Sequence, residues 1–194
     1  TDSVNPEAYL VHSSSVSSNA SVSAIGVMKY LTDTFGSGII TAQNVTPATN
    51  AEIEAIYKET GRYPAIRCGE LALSLLDKES ERAEEEIQLA LEWGEKGGLV
   101  SYTWHWYSPD TSRAALTSET NFRLTSAIGG QDMEQLAISG AEEVQLLHDN
   151  GFVSDKMFAL ITDLDKIAEV LKRFDKADFP VIWQPIPYGE SELY

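Results

Sequence analysis

Apolar residues return at Ala24, Val27, Met28, Leu31 and Phe35, a spacing that lays them along one face of a helix, with Gly36 as its stop. The short apolar run 38–43, Gly38-Ile39-Ile40-Thr41-Ala42-Gln43, follows as a strand. Asn50 stands at the cap position of a second helix that carries Ile53, Ile56 and Tyr57 on one side and ends at Gly61. Residues 63–67 read as the next strand, with Pro64 at its start, where a missing N–H is tolerated. A third helix runs from Ser80 to Trp93 with Ala83, Ile87, Ala90 and Leu91 inward; Glu84-Glu85-Glu86 reads as its solvated surface. Gly97-Gly98 turns the chain into a strand over 99–106.

A long excursion from Tyr107 to Ser154 contains a helix near Asp132 to His148. The clearest helix runs from Thr162 to Ala177, with Leu164, Ile167, Ala168, Leu171 and Phe174 on one face and Thr162-Asp163-Leu164-Asp165 in capping-box position. It leads to a fourth strand over 180–186. Helix and strand thus alternate four times, and the strands are near-continuous apolar runs of the kind that parallel sheets bury on both faces. Such alternation builds either an open doubly wound sheet or a closed barrel. The first strand is followed by Asn44-Val45 rather than by a glycine-rich phosphate loop, which removes the main support for a nucleotide site. Polar and aromatic residues gather instead at the carboxyl ends of the strands: Gln43, Arg67 to Glu70, Trp104-His105-Trp106 and Pro187-Tyr188. In a barrel that rim is where chemistry sits, so the barrel is the preferred reading.

Composition narrows the partners. Thirty acidic residues against fourteen Lys and Arg give a net charge of −16, which repels phosphate backbones and anionic lipid, so neither nucleic acid nor membrane is an expected partner. A neutral polysaccharide is indifferent to that field. No apolar stretch approaches the roughly 18 residues of a membrane span. One cysteine, Cys68, and three scattered histidines form no disulfide framework and no metal cluster, and no cofactor is implied. Cys68 reads as a small buried apolar residue. Asn19-Ala20-Ser21 and Asn44-Val45-Thr46 match the three-residue glycosylation pattern. Residues 1–23 are Ser-rich and read as a leader or linker, leaving 24–194 as the folded unit.

Three segments resemble glycoside hydrolase family 26, the β-mannanases and related enzymes. They are Ile56-Tyr57 through Thr60-Gly61-Arg62-Tyr63-Pro64-Ala65-Ile66-Arg67, then Gly97 through Pro109 with its Trp104-His105-Trp106 triplet, then Asp165-Lys166-Ile167-Ala168 through Phe179-Pro180-Val181-Ile182-Trp183-Gln184-Pro185-Ile186. The resemblance implies an α/β fold of the (β/α)8 TIM-barrel type, of which residues 24–194 cover about the first four strand–helix units. It implies a secreted or cell-surface protein acting on β-linked plant polysaccharide, β-mannan above all. It also implies a retaining mechanism with one carboxyl group at the fourth strand and another at the seventh. The family reads Arg-Pro-Leu-His-Glu at the fourth strand, whereas this chain reads Gln184-Pro185-Ile186-Pro187-Tyr188. Tyr188 therefore stands at the acid's place, and Glu190, two residues on, serves as acid only if its loop bulges.

The resemblance also makes substrate contacts of Trp104, His105, Trp106, Tyr188, Gln43 and Glu70. Indole rings stack on sugar faces, although alternation puts Trp104 and Trp106 on one side of the strand and His105 on the other, and such a strand end also serves core packing. Glu70 offers an acceptor to a sugar hydroxyl, or is an exposed loop residue. The competing function is a non-catalytic carbohydrate-binding or adhesion module with a degenerate active site. Half a barrel leaves strand edges open, so self-association or a second barrel half is expected.

Overall fold

The computed structural model describes residue 14 and residues 18–76, 79–104 and 140–185. In chain order its elements are α1 (Val22–Thr34), β1 (Ala42–Asn44), α2 (Ala51–Thr60), β2 (Ile66–Glu70), a 3-10 turn (Ala72–Leu75), α3 (Ser80–Glu95), β3 (Leu99–Thr103), α4 (Ala141–Asp149), α5 (Asp155–Lys176) and β4 (Val181–Gln184). The four strands form one parallel sheet in the order β1-β2-β3-β4. A doubly wound sheet reverses direction at a switch point; a strand order that follows the chain without reversal is that of a barrel wall. The four parallel strands expected from the periodicity are present in that order.

Their boundaries moved for a common reason. A parallel ladder exists only where a partner runs alongside, and β1 first meets β2 where Ala42 faces Ile66. The strand expected over 38–43 is therefore 42–44, and Ile39 is 93% exposed. The strand expected over 63–67 is 66–70, so Pro64 lies before the ladder rather than in it. Those expected over 99–106 and 180–186 are Leu99–Thr103 and Val181–Gln184, with Trp104 N–H still donating to the Gln184 carbonyl at 3.1 Å.

A glycine ends α2 as the sequence suggests, whereas the starts of the helices differ from that reading. Gly61 takes a left-handed φ of 67° and donates to Tyr57 O at 2.7 Å, closing α2. Ser21 caps α1 through Ala24 N. The apolar face of α1 is only half-covered, and Phe35 stands in solvent. Asn50 precedes α2 but makes no capping bond, because its side-chain oxygen accepts from Arg67 Nε at 2.8 Å. The long helix starts at Asp155, seven residues before Thr162. Ser154 caps it through Met157 N, and Met157 and Leu160 pack with Val153 beside α4. Thr162 is thus mid-helix, its hydroxyl donating to Phe158 O at 2.8 Å. Of the helix expected near 132–148, residues 141–149 are described and helical.

The core lies between the sheet and helices α2, α3 and α5: Ile53, Ile87, Ala90 and Trp93, Ile167 and Phe174 close over Val100, Tyr102 and Trp104. At its centre is a charge pair. Arg67 is 0% and Glu86 1% exposed, so the third glutamate of the Glu84-Glu85-Glu86 run is a core residue, not solvated surface. Arg67 Nη1 and Nη2 both donate to the Glu86 carboxylate, the latter at 2.9 Å. Tyr102 OH and Ala48 N–H donate to the same carboxylate at 2.9 Å each. Burial alone would lower the Arg67 pKa, but the hydrogen bonds and charge of Glu86 outweigh it and hold the guanidinium more firmly protonated than usual. Tyr102 is pushed well above the ordinary phenol range, by burial first and then by the Glu86 charge, so it stays a donor. Gly69 makes room for all of this. A methyl carbon there would stand 2.5 Å from Tyr102 Cε1 and nearer still to Glu86 Oε1.

Removing one partner of a buried pair strands the other's charge, so Arg67→Met or Glu86→Leu alone is expected to cost about 3–5 kcal/mol in urea unfolding. The double variant is expected to lose less than the sum of the two. Gly69→Ala is expected to cost about 1–3 kcal/mol or more through overpacking.

Candidate functional site

Neighbours across a parallel ladder point to the same side of the sheet, and successive residues alternate. Arg67, Val100, Tyr102 and Trp183 face the helices. Registered with them is Gln43, paired with Arg67. The opposite, concave side takes Asn44, Cys68 and Glu70, Ser101 and Thr103, Ile182 and Gln184, all half-buried or exposed. Its carboxyl-end rim is therefore built by Asn44, Glu70, Thr103 and Gln184.

Glu70 is the last residue of β2, not a free loop residue. Ala72 N–H donates to Oε1 at 3.0 Å and the Thr103 hydroxyl to Oε2 at 3.1 Å, which holds the carboxylate at the rim. Among the described residues it is the one carboxylate that the strands carry. A carboxylate with hydroxyl and amide neighbours is a hydrogen-bonding surface for a polyol. The sequence alone did not single out Thr103, Asn44 or Gln184. Strand parity identifies them once the register is known.

Two candidates sit behind this rim. Trp104 is 2% exposed and its ring stacks on Trp183, 6.2 Å between centroids, so its broad face is turned into the core rather than toward a cleft. Gln43, on the helix-facing side of β1, donates from Nε2 to Asn44 O at 2.6 Å. His105, Trp106, Tyr188 and Glu190 lie outside the described residues. No group of three His, Cys, Asp or Glu side chains suited to a metal ion occurs among the described residues. Cys68 is half-buried in mid-sheet. Burial raises its thiol pKa, against a smaller lowering from a hydrogen bond with Ser101 and from the Arg67 charge.

A sequential parallel sheet with helices on one side and a polar rim at the strand carboxyl ends is a (β/α)-barrel wall. The profile of Glycosyl hydrolase family 26 matches residues 16–192. The chain belongs to that family. It is 26% identical over 188 residues to a mannan endo-1,4-β-mannosidase of Thermothelomyces thermophilus, an alignment covering 89% of this chain and 33% of that protein. Among solved structures it resembles the GH26-CBM35 β-(1,4)-mannanase of Podospora anserina, with TM-score 0.65 and 26% identity over 87% of this chain and 35% of the other. A ruminal GH26 endo-β-1,4-mannanase shares the fold at TM-score 0.64 and 19% identity, over 98% of this chain and 39% of the other. The chain spans between a third and two fifths of the length of these relatives.

Two outcomes follow from the placement of side chains. Trp104→Ala is expected to lower unfolding free energy by about 3–5 kcal/mol, as for a core aromatic, measured by denaturant titration. Thiolate is the reactive species, so Cys68 is expected to label with a thiol reagent more slowly than a free cysteine at pH 8. Its rate should keep rising with pH past about 8.5, where a free thiol begins to level off. Ser101→Ala removes a lowering hydrogen bond and is expected to slow labelling further.

Proposed function

We propose that this chain forms part of a polysaccharide cleft for β-mannan or a similar β-linked plant polysaccharide, and that it binds the polymer without hydrolysing it. The observation that carries the reading is the match to family 26 along 16–192, together with relatives named as mannanases. Glu70, held by Thr103 and Ala72 at the rim, supports it by offering a fixed acceptor to sugar hydroxyls. His105, Trp106 and Tyr188 complete the contact surface in this reading, with Trp104 and Gln43 bracing the rim from behind. A neutral polymer is compatible with a net charge of −16, and a substrate too large to enter a cell makes the protein secreted or cell-surface. Among the described residues no helix is long and apolar enough to cross a membrane.

The chemistry follows from the fourth-strand motif. A retaining enzyme of this family protonates the leaving oxygen from a carboxyl group there. In this chain Tyr188 occupies that place, and a phenol with a reference pKa near about 10 is a poor proton donor to a glycosidic oxygen at neutrality. This substitution is what favours a binding module over a hydrolase. Glu190 is the displaced acid if turnover exists.

Incubation with mannan, glucomannan or xylan is expected to release no reducing sugar. Turnover abolished by Glu190→Gln would establish that glutamate as the acid and end the non-catalytic reading. Turnover that survives the change would assign the acid to another residue.

A further inference from the structure

At the end of the sheet opposite the rim, a cavity of about 740 Å³ opens where the chain enters β2 and β3. Its wall includes Tyr63, Trp93, Tyr30, Glu54, Asn50 and Lys96. Tyr57 lies flat against Tyr63, with centroids 4.2 Å apart and planes 9° from parallel, and Trp93 meets Tyr63 edge to face at 5.7 Å. The two tyrosines nonetheless keep 44% and 47% of their surface in water. Packing has ordered these rings without burying them. Tyr63 is further fixed by its hydroxyl, which donates toward the Glu54 carboxylate at 3.3 Å.

We propose that this cavity is a second carbohydrate-binding site, which takes a segment of neutral β-linked polysaccharide at the base of the barrel, away from the rim. The proposal rests on the polysaccharide reading above. Ordered aromatic faces left in water offer a sugar ring a flat apolar surface without an entropic cost for arranging them. The polar groups suit hydroxyls rather than a charged ligand, because one carboxylate, one ammonium and one amide share the wall. Lys96 has no acidic partner among the described residues, which leaves three donors. Asn50 gives its oxygen to Arg67 and keeps its amide nitrogen without a partner among the described residues. Such a collection of unmet donors around an ordered aromatic pair is a hydroxyl-binding arrangement. The volume is within the range of pockets that hold small organic ligands. A single cation in a protein of charge −16 is a weak basis for holding an anion.

Affinity electrophoresis of the full chain through gels containing soluble galactomannan tests this, with thermal melts to confirm folding. Tyr63→Ala and Tyr57→Ala are expected to weaken retention by about tenfold each, roughly the loss of one stacked ring. Both variants should melt within a few degrees of the parent, since neither ring is buried. Tyr63→Phe should retain most of the affinity, which a loss of fold would not explain. Retention insensitive to both tyrosines but lost in Glu70→Gln would overturn the second site while leaving the rim reading intact. Retention on xylan but not on galactomannan, still lost in Tyr63→Ala, would keep the second site and overturn the choice of mannan. Absence of retention on either polymer would overturn the second site.

Discussion

A buried ion pair organises this part of the barrel. Two charges inside a protein are tolerated only when geometry and additional hydrogen bonds replace the water they lose. Arg67 and Glu86 meet that condition through four segments of chain. β2 supplies the guanidinium and α3 the carboxylate, while β3 brings the Tyr102 hydroxyl and the approach to α2 brings Ala48 N–H and Asn50. The Glu86 carboxylate receives four donors, and the Arg67 guanidinium reaches Asn50, Glu86 and the Thr49 carbonyl. None of these partners can shift without leaving a buried polar group unmet. Ala48 adopts a positive φ of 66° to place its N–H, and Gly69 goes without a side chain beneath the pair. A pair that spans a strand, a helix and the neighbouring strand ties the helix layer to the sheet at one defined height.

That tie also decides what the opposite face presents. Strand residues alternate, so once Arg67 is committed to the helix side, Cys68 and Glu70 belong to the concave side. The β2–β3 register then carries Ser101 and Thr103 with them, and the β3–β4 register carries Ile182 and Gln184. The hydrogen bond from Thr103 to Glu70 is a cross-strand contact made possible by this parity. A rim carboxylate suited to sugar hydroxyls is thus a consequence of a core ion pair one residue parity away. The same parity turns Trp104 into the core against Trp183.

The two ends of the sheet have different characters. At the carboxyl ends the polar groups are tied to one another, with Glu70 occupied by Thr103 and Ala72. At the amino ends the aromatic rings are ordered by mutual stacking, while Lys96 and the Asn50 amide nitrogen have no partner among the described residues. A barrel that meets a polymer at both ends gains from proximity, because a strand held at the base raises the local concentration of polymer at the rim. Membership of glycosyl hydrolase family 26 gives the rim its expected chemistry; the base owes nothing to that chemistry.

Much of the fold was legible in the sequence. Apolar spacing located α1, α2, α3 and the greater part of α5, Gly36 and Gly61 marked stops, and four apolar runs in alternation with helices predicted parallel strands in chain order. The Ile56–Arg67, Gly97–Pro109 and Asp165–Ile186 segments carried the family likeness. These are local signals, set by the period of a helix or strand over a few residues. Tertiary structure decided the rest. A strand begins where its partner begins, so β1 and β2 each started later than their apolar runs. Nothing adjacent distinguishes Glu86 from Glu84 and Glu85; Arg67, nineteen residues earlier, draws it inward. Asn50 stood in a capping position, yet the same arginine claimed its oxygen. The rim residues Thr103, Asn44 and Gln184 became visible only through the register. In each case the deciding interaction joins segments that the fold, not the chain order, brings together.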